Sequence, residues 1–234
     1  MTIYFKQLLA GYDFATQNRS AASMENFVYL IGDHSTKECV VIDPAWDVKG
    51  LIEIAKADGF KIVGALGTHY HPDHIGGSFR GFQVEGLPTL MTLNPCKVHV
   101  HEKEVEGVIK VTGLSKSDLH GHASGDVIKV GQIEIKLLHT PGHTPGSCCF
   151  CVSDALVAGD TLFLQGCGRV DLPGGNVDEM YYTLTQRLAS LPDDMILFPG
   201  HAYGGSSDRL AKVRQNNPYL QTMDLQSWKK LRGF

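Results

Sequence analysis

The six cysteines of this chain, at positions 39, 96, 148, 149, 151 and 167, include no CxxC pair, which removes the zinc-ribbon and dithiol-redox patterns. No run approaches the roughly 18 apolar residues of a membrane span. The opening segment, MTIYFKQLLAGYDFATQ, also lacks the basic-then-apolar order of an export leader. Reduced thiols in a cytoplasmic protein are therefore the expectation. Charge of one sign is scarce as well: 21 Lys and Arg against 25 Asp and Glu leave a formal −4, with no block of like charge. That argues against a nucleic-acid tail or a membrane patch and leaves a small molecule as the expected partner, with a homodimer as a further option. No GxSxG elbow offers a serine nucleophile, and no tandem repeat or low-complexity tract is visible. At 234 residues the chain can still bury about 70% of its unfolded surface without staples.

What is abundant is histidine at the ends of short apolar runs. THYHPDHIGG places His69, His71, Asp73 and His74 within six positions, just after KIVGALG. Imidazole and carboxylate suit zinc and iron, and an i, i+2 pair on extended chain turns both rings the same way. Three further fragments each add one donor: His143 in TPGHTPGS, Asp160 in LVAGDTLF and His201 in ILFPGHAYG. One histidine alone is usually a satisfied core or surface residue, but five with two carboxylates, each at a strand end, read as a metal centre.

The order HxHxDH, His, Asp, His resembles the metallo-β-lactamase superfamily, and within it the glyoxalase II branch, over almost the whole chain. The resemblance implies an α/β fold, a four-layer αββα sandwich, spanning residues 1–234 as one domain. Strand-like YFKQLL, ENFVYLIGD and ECVVIDPAW suggest an antiparallel opening, and DVKGLIEIAKADGF has helical spacing behind a capping Asp. Residues 78–124 look irregular apart from the strand KVHVH and a helix in EKEVEGVIKVTG, and are expected to form a lid. The last helix is expected at about 207–217.

The resemblance also allocates roles. His69, His71 and His143 would hold one divalent ion, Asp73, His74 and His201 a second, with Asp160 bridging; zinc is the favoured ion, iron or manganese the other options. Asp73 and Asp160 are thus catalytic candidates, and a shared water made acidic by two ions would attack a thioester or related ester. Tyr203 is a candidate to bind substrate and donate to the developing oxyanion, and Arg169, in GCGRVD, to grip a substrate carboxylate or else pair with Asp171. The resemblance leaves two other chemistries open: a persulfide dioxygenase with a single Fe(II) on His69, His143 and Asp160, and a lactonase or β-lactamase-type ring hydrolase. Long-form glyoxalase II enzymes carry a C-terminal glutathione-binding helical domain, which the 33 residues after His201 are not expected to supply.

Among the remaining residues, Asp43 is the best candidate to orient an imidazole from behind. His99 and His101 read as structural, His120 and His122 as solvated loop residues with the option of a lid over the metals, and His139 as a neighbour of the site. SCCFCV reads as strand with small buried fillers, and Cys167 as a turn thiol.

Overall fold

The computed structural model describes residues 2–221 and 223–234. Two six-stranded sheets dominate, and in each the spatial order of strands follows the chain. The first contains β1 (Ile3–Leu9), β2 (Phe27–Asp33), β3 (Glu38–Ile42), β4 (Lys61–Leu66), β5 (Lys97–His101) and β6 (Leu119–His122). The second contains β7 (Val127–Val130), β8 (Ile133–His139), β9 (Cys148–Val152), β10 (Ala155–Gly159), β11 (Ile196–Pro199) and β12 (Asp208–Arg209).

Period-2 alternation explains how they stack. Tyr29, Ile31, Val40 and Ile42 of the first sheet meet Ile135, Leu137, Phe150 and Val157 of the second in one apolar cluster, while the intervening Val28, Leu30 and Val41 face the other way. Those outward residues pack under the helices Val48–Ala57, Leu87–Leu93 and Val105–Thr112. On the far side Cys149, Leu156, Ala158 and Leu197 pack under Val177–Tyr182, Leu210–Asn216 and Leu225–Leu231. Three apolar interfaces make four layers, as the resemblance implied. Each large side chain buried in them contributes about 1.5–3 kcal/mol against exposure.

The connections follow from strand direction. The meander β1–β2–β3 is antiparallel, but β3, β4, β5 and β6 pair in parallel, so each step must cross over an outer face. Asp47 accepts the Gly50 N–H and caps the first crossover helix.

Two expectations are corrected. Residues 78–124 are regular: a hairpin (Gly77–Phe79 with Phe82–Val84), two helices, and the strands β5 and β6. Short glycine-bounded pieces hid their order, because parallel pairing with β4 supplies what local pattern lacks. The helix Leu210–Asn216 is also followed by another, Leu225–Leu231, whose Trp228 is fully buried and donates to the Tyr219 carbonyl. The cysteines of SCCFCV alternate as expected, Cys148 between the sheets and Cys149 outside them; Cys167 is buried under the outer helices. Among the described residues no helix is long and apolar enough to cross a membrane.

Candidate metal centre

Strand polarity gathers the donors. β3 and β4 are parallel, and β8, β10 and β11 share one direction, because β9 is antiparallel to both β8 and β10 while β10 and β11 are parallel. Five carboxyl-terminal strand ends deliver their loops to one rim. Asp43 follows β3, His69 to His74 follow β4, His143 follows β8, Asp160 follows β10 and His201 follows β11. The Gly159–Pro199 register sets Asp160 beside His201. Gly200 is required there, since a Cβ would collide with the Asp160 carboxylate.

All seven sequence-predicted donors come together. The rings of His69, His71 and His143 lie 4.5–4.7 Å apart by centroid, each pair edge to face. Beside them, His74 Nε2 is 3.2 Å from His201 Nε2, and Asp73 Oδ2 is 3.5 Å from each. Asp160 stands between the two groups, with Oδ1 3.3 Å and 3.4 Å from the His74 and His201 Nε2 atoms and Oδ2 3.6 Å from His143 Nε2.

The outer nitrogens of four rings are committed to protein acceptors. His74 Nδ1–H donates to Asp43 at 3.0 Å, His143 Nδ1–H to the Arg169 carbonyl at 2.6 Å and His201 Nδ1–H to the Met24 carbonyl at 2.7 Å. The Thr68 hydroxyl donates to Asp43 at 2.7 Å and accepts from His69 Nδ1 at 2.9 Å. With these four Nδ1 protons placed, it is the Nε2 atoms of His69, His74, His143 and His201 that face inward as ligand positions. His69 Nε2, His143 Nε2 and Asp160 Oδ1 are buried without a hydrogen-bond partner, an arrangement that costs stability unless a cation fills it. The residues present therefore fit divalent metal.

Electrostatics agree. Burial, with the neighbouring imidazoles, pushes His69 well below the ordinary histidine range and His71 down to about 4, and burial lowers His143 too, so all three are neutral ligands at pH 7. Burial disfavours the His74 and His201 cations, but the Asp160 and Asp73 carboxylates outweigh it and raise both. A proton there is the competitor a metal must displace.

Asp43 holds the role anticipated for it, in a left-handed conformation (φ +54°) rare for a non-glycine residue and indicative of a position the fold over-determines. Arg169 does otherwise: its guanidinium forks the Asp171 carboxylate at 2.7 and 3.0 Å on the surface, and its backbone carbonyl serves the site instead. Tyr203 stacks on His201, centroids 4.6 Å apart at 7°, and is 44% exposed at the rim. His139 lies beside His101, donating Nε2–H to the Pro145 carbonyl.

Sequence reasoning missed two groups. The Asn26 amide nitrogen lies 3.1 Å from Asp73 Oδ2 and 3.3–3.4 Å from the His74 and His201 Nε2 atoms, its oxygen held by Trp46 Nε1–H at 2.9 Å. Fully buried Glu104 accepts from the Tyr70 and Gly146 N–H groups and the Thr144 hydroxyl, each at 2.7 Å, tying the loop of His69 and His71 to that of His143. Neither lies in a motif.

A family model described as the metallo-beta-lactamase superfamily matches residues 24–201. The mitochondrial persulfide dioxygenase ETHE1 of Homo sapiens is 32% identical over 212 residues, 88% of this chain and 76% of its own. The hydroxyacylglutathione hydrolase of Polaromonas sp. is 36% identical over 196 residues, 81% and 67%. The crystal structure of ETHE1 from Myxococcus xanthus superposes with a TM-score of 0.79 at 27% identity, covering 98% of this chain and 90% of that one.

Proposed function

The chain belongs to the metallo-β-lactamase superfamily, a membership it shares with both a hydrolase and a dioxygenase, and within it we propose a dinuclear metal-dependent hydrolase that cleaves a thioester or related ester of a small molecule. One observation carries this reading. Asp73 Oδ2, His74 Nε2 and His201 Nε2 form a triangle with edges of 3.2–3.5 Å. Donors around one ion at about 2.1 Å stand about 3.4 Å apart, so this half of the centre is drawn to the size of an ion of its own. His69, His71 and His143 would hold the first ion, Asp73, His74 and His201 the second, with Asp160 reaching both. Zinc fits the neutral imidazole and carboxylate set; iron or manganese would also be accepted. Ions held there supply Lewis acidity, an acidified water as nucleophile and a polarised carbonyl.

The protein's own part is positional. Asp43 and Thr68 hold His69 and His74 in register, and Glu104 locks the loops. Tyr203, at the open rim, is placed to meet substrate, and burial and the carboxylates below push its phenol up to about 12, so it stays a donor. With Arg169 engaged by Asp171, recognition of a substrate carboxylate falls to other groups.

A second reading has its own support. The three orphaned atoms belong to His69, His143 and Asp160, the two-histidine, one-carboxylate set suited to a single Fe(II), and the Myxococcus ETHE1 fold covers nearly the whole chain. His71→Ala separates the readings: the hydrolase loses most thioester turnover, whereas a single-iron enzyme keeps oxygen uptake on glutathione persulfide.

A further inference from the structure

Two strands that carry none of the seven donors hold another group of imidazoles. β5 and β6 pair in parallel at one edge of the first sheet, with His99 opposite His120 and His101 opposite His122. Val98, Val100 and Leu119 face the outer helices, so by alternation all four rings project from the opposite face. His101 is occupied there: it stacks on His139 with centroids 3.9 Å apart, and its Nδ1 accepts the Lys103 backbone N–H.

The other three stay together. One ring nitrogen from each of His99, His120 and His122 lies within 4.8 Å of the others. His99 Nδ1 and His122 Nε2 are 2.9 Å apart, and the rings of His120 and His122 stack at 4.5 Å. Asp126 Oδ2 stands 3.5 Å from His122 Nδ1, on the far side of that ring. A carboxylate behind an imidazole fixes its tautomer, which puts the His122 lone pair on Nε2, where it accepts from His99 Nδ1–H and points to the same place as the other rings.

We propose that His99, His120 and His122 form a separate metal site that takes zinc through three imidazoles, with solvent in the fourth position. Three nitrogens and no carboxylate in direct reach select a borderline cation over calcium or magnesium, which require oxygen. Burial and the neighbouring rings hold His99 down to about 4, and burial also lowers His122, so both are neutral ligands at pH 7. His120 is exposed and free to turn its nitrogen inward the short distance that closes the site. A zinc ion there would tie β6, an edge strand, to β5. This inference is independent of how many ions the buried centre holds.

The test uses holoenzyme dialysed to remove loose ions, titrated with zinc chloride at pH 7.5 by calorimetry, with zinc per chain counted by elemental mass spectrometry. The wild type should take up one zinc more per chain than His120→Ala, whose affinity should fall at least about tenfold. His99→Ala should behave alike, and Asp126→Asn should weaken binding less. Because His120 is exposed and outside the catalytic machinery, its variant should fold and turn over substrate as the wild type does. Thermal midpoint should rise with zinc in the wild type and not in His120→Ala. No extra zinc in the wild type, or equal uptake in wild type and His120→Ala, overturns the proposal.

Discussion

Two places in this molecule collect imidazoles, and they are built to different standards. In the buried centre three of the five rings have their outer nitrogen fixed by an acceptor from a different loop and a fourth by the neighbouring Thr68, and every donor except the partly exposed His71 and Asp160 is buried. At the edge of the first sheet one carboxylate stands behind one ring, and one of the three histidines lies in solvent. The first arrangement prepays the ordering of its ligands through folding; the second must order His120 on binding. Affinity should therefore differ by orders of magnitude, part of it from the Asp73 and Asp160 carboxylates and part from the groups that fix the imidazoles.

The largest effect that would sharpen this contrast is Asp160→Ala. Removing the one carboxylate that reaches both halves should cost roughly 10³-fold in turnover together with bound metal, while edge-site zinc uptake is unchanged. Full metal occupancy in that variant, counted by elemental mass spectrometry, would refute the bridging role.

Next comes the surrounding shell alone. Asp43→Ala leaves Thr68 and His74 without their acceptor, and should lower metal affinity about 10- to 100-fold with every direct ligand still present. If a chelator strips this variant no faster than the wild type, fixed imidazoles are not what separates the two sites.

Glu104→Gln should act more mildly. Its amide would turn N–H groups towards the Tyr70 N–H or the Thr144 and Gly146 donors, a mismatch costing about 1–3 kcal/mol and read as a drop of the thermal midpoint. A pH signature goes with it. Burial raises the Glu104 carboxyl to about 7, against its hydrogen bonds. A carboxyl raised in the fold contributes stability that is fully present below its unfolded value near 4.5 and is lost as pH rises through 7. The stability difference between wild type and Glu104→Gln should thus shrink from pH 5 to pH 8; a difference that grows would contradict the assignment.

The smallest effect is His120→Ala on the catalytic side. Turnover should stay within about twofold and stability within about 0.5 kcal/mol, as for an ordinary surface change.

The contrast also shows what a sequence can disclose. The seven donors were legible because metal chemistry demands particular residue types, and each stands at the end of an apolar run that reads as a strand. Four layers came with the resemblance, and the burial of ENFVYLIGD and SCCFCV on both faces agrees with it. Asn26 and Glu104 were not. Their partners lie 20 to 47 positions away, at Trp46, Asp73 and Thr144, and only strand polarity brings them to the rim. His120 and His122 were misread as loop because GHAS looks like turn chemistry; pairing with β5 makes them strand, and puts them opposite His99 and His101. Arg169 was legible as a charge but not as a carbonyl, since any residue could supply that oxygen.

The most direct test of the central claim, that the buried centre is a two-ion hydrolytic site, is to purify the His120→Ala chain without added metal. Bound metal is then counted by elemental mass spectrometry, with thioester hydrolysis and oxygen uptake on glutathione persulfide measured on the same sample. Near two ions per chain with thioester turnover is the expected result; near one iron with oxygen uptake and no hydrolysis would contradict it.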